Sequence, residues 1–470
     1  MSKRIEYDSI GSLEINNNAY YGVQTLRAYN NFHITGKTMH KDLIKSLAEI
    51  KKAAAITNSD AGKLSQSKAS AIIKACNYVI SGELDDDFIV DPIQGGAGTS
   101  ANMNANEVIA NKAIEILNGR KGDYSIIHPN DDVNMSQSTN DVFPTAGKLT
   151  ILKLIPKALK ALEKLHSALM IKAVEFDDVI KMGRTQLQDA VPIRLGQSFN
   201  SYASVISRDI IRLTKVCDEI RVINLGATAI GTSINVNPYY LDNITSTLEM
   251  ITGEKLYKAD NLIDATQNLD SFVSVSSALK TAAVNLSKMA NDLRLLSSGP
   301  KTGLAEINLP AKQNGFSIMP GKINPVIPEV VSQVAFNIIG NDYTITMAAE
   351  AGQLELNAFE PVLFYNIFES IETLTSAVNT FVDNCIIGIT ANKERCLELL
   401  ENSVGTVTAL CPYIGYKKSA ELAKEALRTN TPIKKLVLSK KLMSPKKLDE
   451  VLEPFAMTVP NTSNIKAFAV

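Results

Sequence analysis

The chain has 470 residues, 45% of them hydrophobic and 21% charged. That exceeds the roughly 250–300 residues one core usually serves, so several domains or one very elongated one are expected. Its 48 Lys and Arg nearly balance 49 Asp and Glu, which leaves no electrostatic footprint for nucleic acid or an acidic membrane.

No stretch approaches the roughly 20 apolar residues of a membrane span. The first residues, Met1 to Asp8, lack the apolar core of a secretion signal. Five cysteines, at 76, 217, 385, 396 and 411, are scattered and contain no Cys-x-x-Cys pair. Reduced thiols in a cytoplasmic protein are the expectation. The four histidines (33, 40, 128 and 166) form no helical pair, so no metal site is expected.

In chain order, the first polar segment covers residues 94–104, with Gly95, Gly96, Gly98, Thr99, Ser100 and Asn102, and runs into a helical stretch. Glycines bring backbone N–H groups close to a ligand, and a helix start offers a carboxylate a partial positive charge. A glycine-rich turn with a Ser/Thr cap explains the same residues without a ligand.

The second segment covers residues 134–141, where Ser138, Thr139 and Asn140 could grip carboxylate oxygens without adding charge. A turn capping the next helix is the alternative. That helix has an apolar seam at Leu149, Leu152, Ile155, Leu159, Leu162, His166 and Leu169. Pro156 is expected to kink it or to mark its true start.

The third segment, residues 183–192, crowds Arg184, Thr185, Gln186, Gln188 and Asp189 together. Arg184 reads as a substrate clamp or a structural ion-pair partner of Asp189, with the structural role preferred, and Thr185 and Gln186 are the better candidates for ligand contact. A seam follows at Phe199, Tyr202, Ile206, Ile210, Leu213, Val216 and Ile220. Another runs from Phe272 through Val275, Leu279, Ala282, Leu286, Met289 and Leu293 to Leu296, stopped by Ser298, Gly299 and Pro300.

The fourth segment, residues 315–325, holds Gly315, Phe316, Ser317, Met319, Pro320, Gly321, Lys322, Asn324 and Pro325. Its glycines and prolines oppose a regular helix. A loop with flexible ends, a cation and an amide within suits an active-site lid. After Pro361 a last seam reads Ile367, Ile371, Leu374, Val378 and Phe381.

Alternation with period two is scarce, so the expected fold class is all-α, with little sheet and a long central helix bundle. The apolar stripes read as core. Small residues near the seams, such as Ser274, Ser276, Ser277 and Ala278, suit close packing on further helices, including those of other subunits. The expected division is an N-terminal helical domain (1–140), a central bundle (141–395) and a small C-terminal helical domain (396–470).

Taken together, the four segments resemble the active-site regions of the fumarase/aspartase superfamily in order and spacing. The fourth resembles its signature loop, Gly-Ser-Ser-x-Met-Pro-x-Lys-x-Asn-Pro. The likeness runs from Tyr20, Tyr21 and Gly22 to beyond Asn392. Residues 347–357 lean toward the aspartases. The resemblance implies a homotetramer with pooled central helices and active sites built from three subunits. It implies no cofactor, L-aspartate and fumarate as small-molecule partners, and elimination of ammonia from the former to give the latter.

It also implies roles. Thr99, Ser138, Thr139 and the backbone N–H groups of the signature loop would stabilise one carboxylate. Lys322 and Asn324 would hold the other with Thr185 and Gln186 nearby, and Ser100 and Asn140 are further substrate-binding candidates. Fumarases typically carry a histidine at position 186, paired with a Glu (here Glu329), and aspartases commonly do too. Gln186 cannot ionise, so that pair is missing.

The superfamily's base is the first serine after the loop glycine. Phe316 stands there and cannot accept a proton. Ser317 matches the second serine and is the candidate substitute. Three readings stay open: an aspartate ammonia-lyase impaired by Phe316, a lyase in which Ser317 serves as base, and a non-catalytic dicarboxylate-binding paralogue. Fumarate hydratase is the enzymatic alternative.

Overall fold

The computed structural model describes residues 2–315, 319 and 321–459. The fold is all-α, and strands among those residues occur only as two-stranded pairs. An antiparallel hairpin, β1 (Lys3–Tyr7) and β2 (Ser12–Asn16), precedes α1 (Val23–Asn31), α2 (Lys41–Asp60), α3 (Gln66–Ile80) and α4 (Thr99–Ile116). The long α5 (Thr139–Glu175) leads to a second hairpin, β3 (Ile180–Thr185) and β4 (Gln188–Arg194), and then to α6 (Leu195–Ile220).

Next come β5 (Val222–Ile223), α7 (Pro238–Thr252), β6 (Tyr257–Lys258), α8 (Asp264–Gln267), α9 (Asp270–Leu296) and β7 (Ile307–Asn308). After α10 (Val326–Glu350) and α11 (Glu360–Asn384), β8 (Thr390–Ala391) pairs with β7. Short helices close the described chain: α12 (Lys393–Asn402), α13 (Cys411–Ile414), α14 (Tyr416–Thr429), α15 (Ile433–Ser439) and α16 (Pro445–Val451).

The four predicted seams lie on α5, α6, α9 and α11, and most of their apolar side chains are buried. The expectation that Pro156 kinks α5 or starts it needs correcting in one respect. The helix begins at Thr139 and continues through both Pro144 and Pro156. Pro156 is exposed, and the carbonyl it leaves without a donor is that of Leu152. At Pro144 the carbonyl left without its donor is that of Asn140, four residues earlier. The Asn224 side-chain amide takes it, donating at 3.1 Å.

Contacts divide the chain into two units, neither of them a continuous stretch. Unit 1 comprises Met1–Lys160, Ile211–Ala283 and Phe336–Thr375; unit 2 comprises Ala161–Ile210, Val284–Ala335 and Ser376–Val470. The long helices α5, α6, α9, α10 and α11 each contribute residues to both units.

In unit 1, Phe364 anchors an aromatic cluster with Phe143, Phe272 and Phe368, at centroid distances of 5.2, 5.1 and 5.6 Å. Burying one such side chain stabilises by roughly 1.5–3 kcal/mol. A Cβ at Gly147 would collide with the Phe364 ring, so α5 and α11 approach as closely as a small residue permits. Buried polar links add register: Ser276 donates to Asp342 at 2.7 Å and Asn341 to Ser370 at 3.1 Å.

In unit 2, Phe199 packs on Phe176 and Tyr202. Leu410, Leu422, Ala426, Ile433, Leu436, Val437 and Leu448 form a small core of their own near the C-terminus. No helix among the described residues is long and apolar enough to cross a membrane. No cluster of metal-ligating side chains occurs among them.

Candidate active site

The first two polar segments lie in unit 1 and converge on the starts of α4 and α5. Gly98 caps α4 with φ +87, and a Cβ there would collide with the Phe143 ring of α5. Both constraints demand glycine. Gly98→Ala is therefore expected to lower stability by about 2 kcal/mol, readable as a shifted denaturation midpoint at fixed protein concentration. An unchanged midpoint would show that the loop yields freely. Gln94 braces the same loop, accepting from the Ala101 N–H at 2.8 Å and donating to the Asp91 carbonyl at 2.7 Å. Thr99 is exposed and Ser100 half-buried, and the Thr99 hydroxyl donates to the Gly96 carbonyl at 2.6 Å.

Ser138 caps α5. Its hydroxyl accepts from the Asn140 N–H at 3.3 Å, while its own N–H donates to Asp141 Oδ1 at 2.9 Å. That reciprocal pattern is a capping box, so the capping reading of the second segment holds. It does not use up Thr139 and Asn140, which are half-buried.

Asp141 is fully buried. Its Oδ2 accepts from the N–H groups of Gly226 and Thr228 at 3.0 and 2.9 Å. Burial pushes its pKa up to about 6, against backbone donors that favour the ionised form. The Asn140 side chain donates to the Ala229 carbonyl at 2.7 Å.

These contacts expose a segment that reading the sequence passed over. Residues 224–235 are rich in Gly, Ala, Thr, Ser and Asn, with positive φ at Gly226, Thr228, Gly231, Ser233 and Asn235. They cradle the second segment through Asn224, Gly226, Thr228 and Ala229. Their signal was the same Gly/Ser/Thr/Asn density that marked the other four.

The third and fourth segments lie in unit 2. Residues 183–192 form a hairpin whose turn residues, Gln186 and Leu187, both have positive φ (54 and 63). Two non-glycine residues in that region make a strained turn. Thr185 and Gln186 stand exposed at its tip, with Leu187 70% exposed beside them. The hairpin lines an open cleft of about 870 Å³, whose wall includes Thr185, Gln186, Tyr202 and Asp292.

Arg184 is structural, as expected, but its main partner is different. Asp189 is 3.9 Å away, whereas Glu306 accepts from Arg184 Nη1 at 2.9 Å. Glu306 is fully buried and also lies 3.2 Å from Lys181. A buried carboxylate between two cations fixes the base of the hairpin.

The signature loop is closed at its base. A Cβ at Gly315 would collide with the Lys322 carbonyl, and the Lys322 N–H donates to the Met319 carbonyl at 3.2 Å. Gly321 has φ +83. Lys322 is exposed and Asn324 half-buried, just before α10. Phe316 and Ser317 lie outside the described residues.

A family model described as a lyase matches residues 11–340, and one described as the fumarase C C-terminus matches residues 407–459. An aspartate ammonia-lyase of a Bacillus species is 52% identical over 463 residues, covering 98% of this chain and 99% of that protein. One from Helicobacter pylori is 51% identical over 460 residues, covering 97% and 98%. This chain belongs to the fumarase/aspartase superfamily of lyases.

Solved structures agree. A fumarate lyase:delta crystallin from Brucella melitensis matches with a TM-score of 0.95 at 49% identity, covering 98% of this chain and all of that one. A class II fumarase from Schistosoma mansoni matches with a TM-score of 0.95 at 36% identity, with the same coverage.

Proposed function

We propose that this chain is an aspartate ammonia-lyase, catalysing the reversible elimination of ammonia from L-aspartate to give fumarate, with turnover limited by Phe316. The observation that carries this reading is its end-to-end likeness to aspartate ammonia-lyases at 51–52% identity.

The reaction takes a proton from the carbon beside the β-carboxylate, breaks the C–N bond, forms the C=C bond and releases ammonia. That carbon is a very weak acid, so stabilising the aci-carboxylate is the main task, and preorganised donors supply several kcal/mol of it. Thr99, Ser100, Ser138, Thr139 and Asn140 take that role, on helix starts whose N–H groups favour an anion. Lys322 and Asn324 hold the second carboxylate, with Thr185 and Gln186 beside it.

In this reading the chain works as a homotetramer in the cytoplasm, with each site drawing segments from three subunits. An exposed apolar face on α10 supports assembly: Phe336, Ile339, Tyr343 and Met347 recur at steps of three and four and are 61, 36, 72 and 51% exposed. Five free thiols, four of them buried, support a reducing compartment.

A second reading, a non-catalytic dicarboxylate binder, is favoured by Phe316 and Gln186 alone. The test incubates the purified chain with L-aspartate, following fumarate absorbance and released ammonia, with L-malate as control. Slow, equimolar fumarate and ammonia from aspartate, and none from malate, are expected. Fumarate from malate would make the chain a hydratase. Tight binding of aspartate without product, persisting in Phe316→Ser, would favour the second reading.

A further inference from the structure

A cation is buried directly beneath the second polar segment. Lys51, on α2, is fully buried and donates to Asn102 Oδ1, Asn134 Oδ1 and Gln137 Oε1 at 2.7, 2.7 and 2.9 Å. No carboxylate touches it among the ion pairs of the described residues. Burial pulls its amine down to about 7, and Asp141 opposes that shift through space. The geometry nonetheless suits an ammonium, which has three N–H donors and no acceptor. Every group facing Nζ must therefore turn an oxygen toward it.

That requirement fixes three amide orientations at once. With its oxygen held by Lys51, Asn102 must present its NH2 elsewhere, and Nδ2 donates to Thr139 Oγ1 and to Asn134 Oδ1, both at 3.2 Å. Asn134 and Gln137 spend their own amide hydrogens on backbone carbonyls. A threonine hydroxyl that accepts from Asn102 keeps its own proton for another partner.

We propose that Lys51 is a positioning residue that holds Asn102 in the orientation making Thr139 a hydrogen-bond donor toward a ligand carboxylate. The proposal rests on the reading that Thr139 contacts the substrate. If the Lys51 ammonium were removed, Asn102 could flip and draw the Thr139 proton onto its own oxygen.

The test measures succinate affinity by calorimetry on the full chain, with thermal unfolding alongside. Thr139→Val is expected to weaken binding about tenfold, the cost of one lost hydrogen bond to a charged group. Lys51→Met is expected to weaken it similarly. Asn102→Asp replaces the donor with an acceptor while giving Lys51 an ionic partner, so it keeps the fold even if Lys51→Met does not. It is expected to weaken binding about tenfold with no fall in unfolding temperature, and to have no further effect in the Thr139→Val background.

The proposal is overturned if Asn102→Asp weakens binding equally with and without the Thr139 hydroxyl, which is plain charge repulsion. It is also overturned if Thr139→Val weakens binding and Asn102→Asp does not. If Thr139→Val itself leaves succinate affinity unchanged, the functional reading of Thr139 fails and the proposal with it, an outcome distinct from the other two.

Discussion

Replacing Phe316 by serine is expected to raise the rate of fumarate formation from L-aspartate by about 10²–10⁴-fold, the usual contribution of a general base. The argument starts from the chemistry. The proton to be removed is weakly acidic, and donors around the carboxylate only lower the energy of the anion that results. Something must still accept the proton, and a phenyl ring offers no lone pair.

The described residues hold the base of the loop that carries this position. Backbone contacts between Gly315, Met319 and Lys322 close it. Lys322 and Asn324 stand at its C-terminal side as cation and amide. The measurement is initial rate against substrate concentration. A base restored in an intact pocket should raise kcat far more than it changes KM. Ser317→Ala belongs beside it: the residual activity of the parent chain should survive that change if Ser317 is no base. Equal rates for the parent and Phe316→Ser would sink this account and place the base elsewhere.

Asp141→Ala is expected to cost about 3 kcal/mol or more of stability and to weaken aspartate binding. One carboxylate here serves three backbone donors, from Ser138, Gly226 and Thr228. Alanine leaves those N–H groups without an acceptor, and a buried unsatisfied donor costs roughly 1–3 kcal/mol each. The loss is local in origin but reaches the site. Ser138 loses half of its capping box, and residues 226–228 lose the anchor that holds them against the start of α5. Asp141→Asn should be milder, since its single amide oxygen still accepts while its NH2 faces a donor. Denaturation at fixed concentration and calorimetry of aspartate binding check both effects. A midpoint within about 1 kcal/mol of the parent for Asp141→Ala would show that other contacts hold the turn.

Much of this site was legible before any coordinates. Thr99, Ser138 and Thr139 stood out because Gly, Ser, Thr and Asn concentrate where backbone must approach a ligand or a helix must start. The structure puts them at the starts of α4 and α5. One long helix, α10, gave no seam, because apolar residues cover more than one of its faces. Val331, Ala335, Ile338 and Ile345 are buried, while Phe336, Ile339, Tyr343 and Met347 are not. A stripe needs a polar face for contrast, and a helix with a second apolar face hides its own period.

By itself, the sequence determined the helical class, four of the long helices, the four polar segments, the superfamily signature and the absent serine at position 316. These are properties of residue type and local spacing, and the helical period of 3.6 carries them without knowledge of neighbours. Only the tertiary structure decided who pairs with whom. Arg184 turns to Glu306, 122 positions away, and away from nearby Asp189. Asn224 supplies the donor that Pro144 withholds, Asp141 reaches Gly226 and Thr228, and Lys51 sits under Asn102. The long helices are shared between two units. Such partnerships depend on which distant segments are packed together, and desolvation then forces each buried charge and amide to find a specific partner.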